Sequence, residues 1–376
     1  MKSEWRTFTV QELIDLAMLE EPLDGNHGAI HPKTSDYVPA GVPFIMANNL
    51  VNGRVDFNNC AFISEQQALT LRKGFSRPGD VLLTHKATIG RTAIVTEEYD
   101  TIILTPQVTY YRVKKEINNR YLKYYFDSRP FQELFANWAG SGSTRAYLGI
   151  TAQRKLPIVV PPFNIQCRIA DICGIFDDKI ELNQKINENL ERQAKAIYTS
   201  MFIADAKTNW KLGHFSDLVT VRYGKDHKKL ANGNYPVFGS GGVMRYVERP
   251  LYDQESVLIP RKGTLNNVMY VNEPFWSVDT MFYTEMRFPY IAKFVYHFVK
   301  SKDLASMNAG SAVPSMTTDI LNAMELSIPD TNTLAKFESL VAPMYLMTEE
   351  HNKQSKKLST IRDTLLPKLM AGEIDF

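Results

Sequence analysis

Two stretches of the chain repeat apolar residues at steps of three and four. In the first, Ile169, Ile172, Phe176, Ile180, Ile186, Leu190, Ala194, Ile197 and Met201 recur, a spacing that lines one face of a long helix. The second carries Phe337, Leu340, Met344 and Met347, then Leu358, Ile361, Leu365 and Leu369. Asn183 interrupts the first stripe, and His351 with Gln354 interrupts the second at an equivalent place. Both stretches are rich in good helix formers and nearly free of glycine, so propensity agrees with periodicity. Pro343 and Pro367 are expected to bend or break the second helix near its ends, and Gly372 suits its C-cap. A helix of about 35 residues is roughly 50 Å long, and one with a single apolar stripe is unstable alone in water. The two should therefore pack on each other. An antiparallel pair would hold the intervening globular regions at opposite ends of a rod. Asn183 and His351 would then either meet in the seam and fix its register or face solvent through local irregularity.

The remaining sequence reads as two mixed α/β regions. Short β-branched runs at Val81–Thr84, Thr92–Val95, Ile102–Leu104, Val108–Val113, Val257–Ile259 and Val268–Val271 predict strands. Short helices are expected over Thr9–Ala17, Asn119–Ser128, Phe131–Trp138 and Tyr290–Val299, with Arg129-Pro130 as a break. The two regions are also alike. An Ala-Gly-Ser block at Ala139 recurs at Ala309, and both blocks run on to a Leu-x-Ile at a common offset of 170 residues. Upstream, Asp80-Val-Leu-Leu-Thr-His-Lys-Ala-Thr-Ile89 matches Ser256-Val-Leu-Ile-Pro-Arg-Lys-Gly-Thr-Leu265, pairing Lys86 with Lys262 and Thr88 with Thr264. A proline-containing exit follows each block (Pro161-Pro162 and Pro329) before each long helix. The expected order is a globular domain over 1–160, a helix over 161–204, a second globular domain over 205–330 and a second helix over 331–376. The expected fold class is thus α/β (α+β) domains in tandem repeat, joined by a long antiparallel two-helix coiled coil.

Composition narrows the function by exclusion. The chain has 376 residues, 44% hydrophobic and 22% charged, as befits a globular protein. Its opening, MKSEWRTFTVQELIDL, has scattered charge and no apolar core, and is not expected to be a signal peptide. No apolar run reaches membrane-spanning length. Cys60, Cys167 and Cys173 form neither a CxxC pair nor a disulfide framework, which points to a reducing compartment, and the expected location is the cytoplasm. The net charge is only +2, and it is spread evenly: residues 1–160 hold 18 basic and 16 acidic side chains, residues 205–330 hold 14 and 13. A nucleic-acid surface would have to come from local clustering.

Signs of catalysis are weak. Val160-Pro-Pro-Phe163 resembles an amino-methyltransferase loop, but valine stands where Asn or Asp would bind the target amino group. Gly239-Ser-Gly-Gly242 and Gly140-Ser-Gly142 fit neither a dinucleotide fingerprint nor a P-loop. Asp177-Asp-Lys179 and Asp226-His-Lys228 lack a partner carboxylate for a metal nuclease, and the seven histidines are dispersed. No catalytic or metal-ligating residue and no bound cofactor is expected.

The loops offer DNA-binding chemistry instead. His85, Lys86, Thr88 and Arg91 lie on a glycine-containing turn between two expected strands, and Arg261, Lys262, Thr264 and Asn266 form its counterpart. Cations and hydroxyls of this kind contact phosphates, and Arg or Asn can also reach base edges. Such a turn standing alone would read rather as a solvated hairpin; its recurrence in two regions favours binding. Ser143, Thr144 and Arg145, with Ser311 as their parallel, form a second paired element of small and hydroxylated residues. Tyr223, Lys225, Lys228, Lys229 and Ser240 form a basic stretch leading into a glycine-rich one, with Asn48 and Asn49 as the first-region parallel. Asn reads adenine and Arg or Lys reads guanine.

Together these segments resemble a known family. Pro161-Pro-Phe-Asn-Ile-Gln-Cys-Arg-Ile-Ala170, followed by Phe176-Asp-Asp-Lys-Ile-Glu-Leu-Asn183, looks like the first spacer region of the specificity subunits of type I restriction–modification systems. Pro236-Val-Phe-Gly-Ser-Gly-Gly-Val243, Phe275-Trp-Ser-Val-Asp-Thr280 and Leu366-Pro-Lys-Leu-Met-Ala-Gly-Glu-Ile374 resemble a target-recognition domain and the usual ending of the same family. The second helix departs from the pattern, since Phe337–His351 lacks the Asp-Asp-Lys-Ile motif. The resemblance implies a non-catalytic subunit that reads a bipartite double-stranded DNA target, one domain per half-site, with the helices setting the spacer. It also implies two modification (methyltransferase) subunits and restriction (translocase/nuclease) subunits as partners, which would carry the S-adenosylmethionine, ATP and magnesium. The alternative is a coiled-coil assembly protein that binds no DNA.

Overall fold

The computed structural model describes residues 5–140, 146–307 and 315–374. The chain divides into two compact units, one formed by residues 1–182 with 354–376 and the other by 183–353. Two long helices, Phe163–Thr199 and Thr331–Met370, each contribute one part to either unit.

In the first unit, the strand Arg6–Thr9 pairs antiparallel with Pro157–Val160. Thr9 then caps the helix Val10–Asp15 through a reciprocal bond with Glu12, the Thr-x-x-Glu capping box. Next comes a six-stranded sheet in the order Leu23–Asp24, Val108–Tyr111, Val81–Lys86, Thr88–Ile94, Arg54–Val55, Leu50–Val51. A five-stranded sheet includes Val42–Ile45 parallel to Ile102–Leu104. The helices Asn119–Asp127 and Arg129–Trp138 cover the larger sheet through Leu122, Phe126, Phe131 and Phe135, all buried with Val81, Leu83 and Tyr111. Pro130 sits in the first turn of the second of these helices, where its missing N–H is harmless.

The second unit repeats this plan. Lys211–His214 pairs with Glu325–Ile328, and His214 leads into the helix Phe215–Leu218. A four-stranded sheet runs Val219–Tyr223, Met281–Met286, Ser256–Pro260, Met269–Val271, the order of its counterpart strands in the first unit. Asn232–Gly239 lies parallel to Trp276–Ser277, as Val42–Ile45 does to Ile102–Leu104. The helix Ala292–Lys300 covers the sheet and is buried along nearly its whole length. The backbone fixes how the halves correspond. Val10 donates to the Leu156 carbonyl at 3.0 Å, and Phe215 donates to the Met324 carbonyl at 2.9 Å. Leu156 thus corresponds to Met324, an offset of 168 rather than the 170 inferred from the two Leu-x-Ile motifs. The repeat is real, but its last part was aligned two residues out of step.

The same offset organises the long helices. Ile169 and Cys173 are fully buried in the first unit, packed with Leu366 and Leu369. Their counterparts at 168 residues, Phe337 and Val341, are fully buried in the second unit with Ala194, Tyr198 and Phe202. The stripe expected in the second helix therefore needs correction. Phe337 and Met344 face apolar neighbours, but Leu340 and Met347 are 44% and 48% exposed, and Val341 and Tyr345 take the inward positions. Near the other end, Leu366 and Leu369 are the buried pair, with Leu365 packed partly against them. Ile172, Phe176, Ile180, Ile186, Leu190, Ile197, Leu358 and Ile361 are half-buried. Asn183 and His351 meet: the Asn183 amide lies 3.4 Å from the His351 carbonyl, and the His351 ring is 2.8 Å from the Asn187 side chain. The second helix also runs unbroken through Pro343 and Pro367. Both prolines and the residues four positions earlier, Ser339 and Asp363, are exposed, so water can take the carbonyls that lose their donors.

Each unit docks a sheet-covering helix on a long helix through several polar pairs, one of which falls at matching positions. In the first, the Tyr124 hydroxyl donates to Asp177 at 2.7 Å, with Lys123 and Arg362 beside the same carboxylate. Burial works to raise the Asp177 pKa, but Lys123, Tyr124 and Arg362 hold it below the ordinary value. In the second, His297 hydrogen-bonds the Tyr345 hydroxyl at 3.0 Å and stacks on Tyr198. Burial pulls the His297 imidazole down to about 4.

Truncating a buried helix position should separate from truncating an exposed one. Ile169→Ala and Phe337→Ala are expected to destabilise by about 2–5 kcal/mol, and Leu340→Ala by less than about 0.5 kcal/mol, as read from urea unfolding. His297 must stay neutral in the fold, so the unfolded chain binds more protons between pH 6.5 and 4, and stability falls as the pH falls. By pH 5 this one residue should remove about 2 kcal/mol. His297→Gln should flatten that part of the stability–pH curve, and an unchanged curve would exclude the assignment.

Candidate nucleic-acid interface

The two loops that the sequence pairs are pinned alike but differ in length, one residue in the first unit and the eight residues 261–268 in the second. In the first unit, Val81–Lys86 and Thr88–Ile94 form a hairpin whose turn is Ala87 alone. Much of what reads as a loop in sequence is therefore strand. Lys86, Ala87 and Thr88 are exposed at the tip. Lys86 forms a β-bridge with Tyr147, Ala87 donates to the Ala146 carbonyl at 3.0 Å, and Leu148 donates to the His85 carbonyl. The tip is thus pinned to the chain that follows residues 141–145. Tyr147 is half exposed, with the Lys86 ammonium 5.9 Å from its ring centre. In the second unit, Lys262 bridges Ser315 and Met316 donates to the Arg261 carbonyl. Ala87 and its counterpart Gly263 both adopt left-handed backbone, with φ of 64° and 85°, a conformation costly for alanine and free for glycine. Ser143, Thr144, Arg145 and Ser311 lie outside the described residues.

The second unit brings most of its candidates together. The Tyr223 ring lies beneath the Arg261 guanidinium, 5.3 Å from its centre. Lys225 donates its backbone N–H to Ser277 and accepts the Trp276 indole N–H. Ser240 sits at the turn of the hairpin Asn232–Gly239 with Gly242–Val247; its carbonyl accepts from Asn267, and its hydroxyl packs against Gly263. Lys225, Lys228, Lys229, Lys262 and Thr264 are exposed. Sequence reading missed this hairpin, because Pro236 and four glycines mask its strand pattern. That pattern would have emerged from Tyr235, Val237, Val243 and Val247 taken as a pair of strands. Val243, Met244 and Tyr246 are exposed on it.

Several expected contacts are structural instead. His85 is fully buried, with Nδ1 3.1 Å from the Leu148 carbonyl. Burial lowers its pKa, against the pull of Asp24. It therefore braces the hairpin from beneath and does not present a side chain to a ligand. Asn49 is buried, accepting from Met46 and donating to the Asn59 carbonyl; only Asn48 of that pair is exposed. Asn266 is exposed but engaged, donating to Asp303 and accepting from the Ala305 backbone. Arg91 is exposed, with one nitrogen 3.4 Å from the Leu50 carbonyl. Val160-Pro-Pro-Phe163 is a strand-to-helix joint, where the Pro161 carbonyl accepts from the buried Gln166. Among the described residues, no three His, Cys, Asp or Glu stand together as a metal would require, and no helix is long and apolar enough to cross a membrane.

Two sheets of matching strand order, two equivalent pinned tips and two long helices define a tandem protein. The chain belongs to the family of the type I restriction modification DNA specificity domain, which matches residues 2–192 and again 207–337. It is 24% identical to the type I restriction enzyme MjaIX specificity subunit of Methanocaldococcus jannaschii, over 91% of this chain and 89% of that one. It is 20% identical to the type I restriction enzyme HindI specificity subunit of Haemophilus influenzae, over 89% and 94% of the two chains. Its fold is similar to the crystal structure of a type I restriction-modification system S subunit from M. genitalium, with a TM-score of 0.57 and 17% identity over 97% of this chain and 96% of that one.

The two tips should respond in opposite directions to the same exchange. Ala87→Gly relieves a strained φ and is expected to be neutral or stabilising by up to about 1 kcal/mol. Gly263→Ala adds strain and a Cβ 2.6 Å from the Ser240 hydroxyl, and should cost about 1–3 kcal/mol. Thermal melting of the two variants measures both.

Proposed function

We propose that this chain reads a bipartite double-stranded DNA target, with residues 1–160 and 205–330 as target-recognition domains for one half-site each. The observation that carries this reading is the recurrence of an exposed lysine pinned by the same backbone bridge after the equivalent strand, Lys86 in one domain and Lys262 in the other. A solvated turn has no reason to recur with the same backbone bridge and the same cation. Lys86, Thr88, Arg91, Lys225, Lys228, Lys229, Lys262 and Thr264 supply phosphate and groove contacts.

The long helices, 161–204 and 331–376, form an antiparallel coiled coil that sets the spacer between half-sites. The contacts of Ile169 and Cys173 with Leu366 and Leu369, and of Ala194 and Tyr198 with Phe337 and Val341, support that pairing, as does the Asn183–His351 contact. The chain itself is non-catalytic and cytoplasmic. Two modification subunits carry S-adenosylmethionine, and restriction subunits carry ATP and magnesium. The near-neutral charge of +2 fits a reader whose partners complete the phosphate clamp. Joining two modest readers also makes the second contact intramolecular, which raises the affinity of the whole.

With its modification partner bound, Lys86→Ala and Lys262→Ala should each weaken binding to every duplex alike and reduce the salt slope by about one. Titrations at two salt concentrations measure this, and unchanged affinity in both variants rejects the loop assignment. Matched four-residue insertions near 186 and 348 add about 6 Å. They should lengthen the spacer in the mapped methylation sites by about one or two base pairs while leaving both half-sites intact. An unchanged spacer rules out the helices as its determinant.

A further inference from the structure

We infer that Arg261 is a specificity-determining residue that reads a guanine in the half-site of the second domain. The inference rests on the DNA-reading role proposed above. Arg261 stands directly before the tip residue Lys262. Its backbone is held on both sides: its N–H donates to the Thr280 carbonyl at 2.9 Å, and its carbonyl accepts from Met316 at 2.9 Å. Its guanidinium lies over the half-exposed Tyr223 ring, 5.3 Å from the centre, and one terminal nitrogen is 3.4 Å from the Asp279 carbonyl. No described residue takes up the other. A planar cation lying on a ring has lost much of its rotamer freedom before any ligand arrives. What remains open is a fork of N–H donors of fixed direction. The guanine edge in the major groove offers O6 and N7 as two adjacent acceptors, and Arg meets both at once. A lysine at this place would supply charge without that geometry.

The equivalent position in the first domain sharpens the argument. His85 makes the same two backbone bonds, from its N–H to the Gln107 carbonyl and from Leu148 to its own carbonyl. Its ring, however, turns inward and is fully buried. One scaffold position thus carries a held surface cation in one domain and an internal brace in the other. The first domain must read its half-site with other side chains, so the Arg261 guanine belongs to one half-site only. Tyr223 is a positioning residue that acts through the arginine.

The test is methylation-site mapping in cells that express this chain with its modification partner, for wild type, Arg261→Ala and Arg261→Lys. It is paired with binding titrations of the assembled complexes against duplexes altered at single positions. For wild type we expect a bipartite motif with a guanine in at least one half-site. Both variants should relax one guanine position in one half-site, losing about 5- to 100-fold in discrimination there, and leave the other half-site as it was. Tyr223→Leu should weaken the same discrimination, and Tyr223→Phe, which keeps the ring, should restore it. An unchanged motif in both arginine variants overturns the inference, and so does binding that weakens equally on every duplex, the mark of a phosphate contact. Loss of all methylation by Arg261→Ala leaves the decision to Arg261→Lys and the titrations, where a uniform loss again overturns it. Failure of the underlying reading looks different, since the wild-type complex would then select no bipartite motif at all.

Discussion

A helix of 37 or 40 residues with one apolar stripe cannot stand alone in water, and the rest of this molecule follows from how the two stripes are covered. Each unit covers part of both helices. Ile169 and Cys173 sink against Leu366 and Leu369 in one, and Phe337 and Val341 against Ala194, Tyr198 and Phe202 in the other. The helix that covers each sheet then docks on a long helix at a matching position. Because the sheet-covering helix packs into each of these clusters, through Tyr121 and Tyr124 in one unit and Phe294 and Phe298 in the other, each sheet is tied to its long helices. A DNA reader benefits from that rigidity, since donors displaced by a few ångströms no longer line up with base edges.

The polar contacts at the matching position, Asp177 in one unit and Tyr345 in the other, are not the same chemistry, although ion pairs flank both. Tyr124 with Asp177, Lys123 and Arg362 is ionic, held together by opposite charges around a half-buried carboxylate. His297 with Tyr345 and Tyr198 is neutral and aromatic. Both satisfy the same demand, which is that polar atoms taken into an apolar joint find partners there. The shared constraint is therefore geometric, and the side chains that meet it were free to diverge. The hairpin tip behaves likewise, with Ala87 and Gly263 at one left-handed position and His85 and Arg261 at one backbone-locked position.

Elements with strong local signals could be read from the sequence. The long helices, the strands at Val81, Ile102, Val108 and Val257, and the helices after Asn118 and Ser128 all announce themselves by period, cap or break. Three kinds of error arose where local pattern is a poor guide. The inward face of the second helix was read as Leu340 and Met347, because leucine and methionine satisfy a heptad as well as Val341 and Tyr345 do; which set is buried depends on the partner surface. Pro343 was expected to interrupt the helix, and does not, because its orphaned carbonyl lies on the exposed side. The Leu-x-Ile motifs suggested an offset of 170, but backbone pairing with the opening strand of each unit sets 168. Of the candidate site, the paired cations Lys86 and Lys262 were visible by repetition alone. The burial of His85 and Asn49 was not, since either residue suits a groove as readily as a packed hairpin until its neighbours are known.

Repetition with divergence is what a bipartite reader needs. Two domains that share a backbone frame present their tips in equivalent ways, so the frame need not change when a target does. The information then resides in the few side chains that the frame holds outward. His85 and Arg261 illustrate the consequence: the same two backbone hydrogen bonds hold a residue whose ring is fully buried in one domain and a guanidinium laid over a half-exposed ring in the other. A near-neutral chain serves this arrangement too, because strong bulk charge would bind any duplex and blunt the contribution of the few contacts that discriminate.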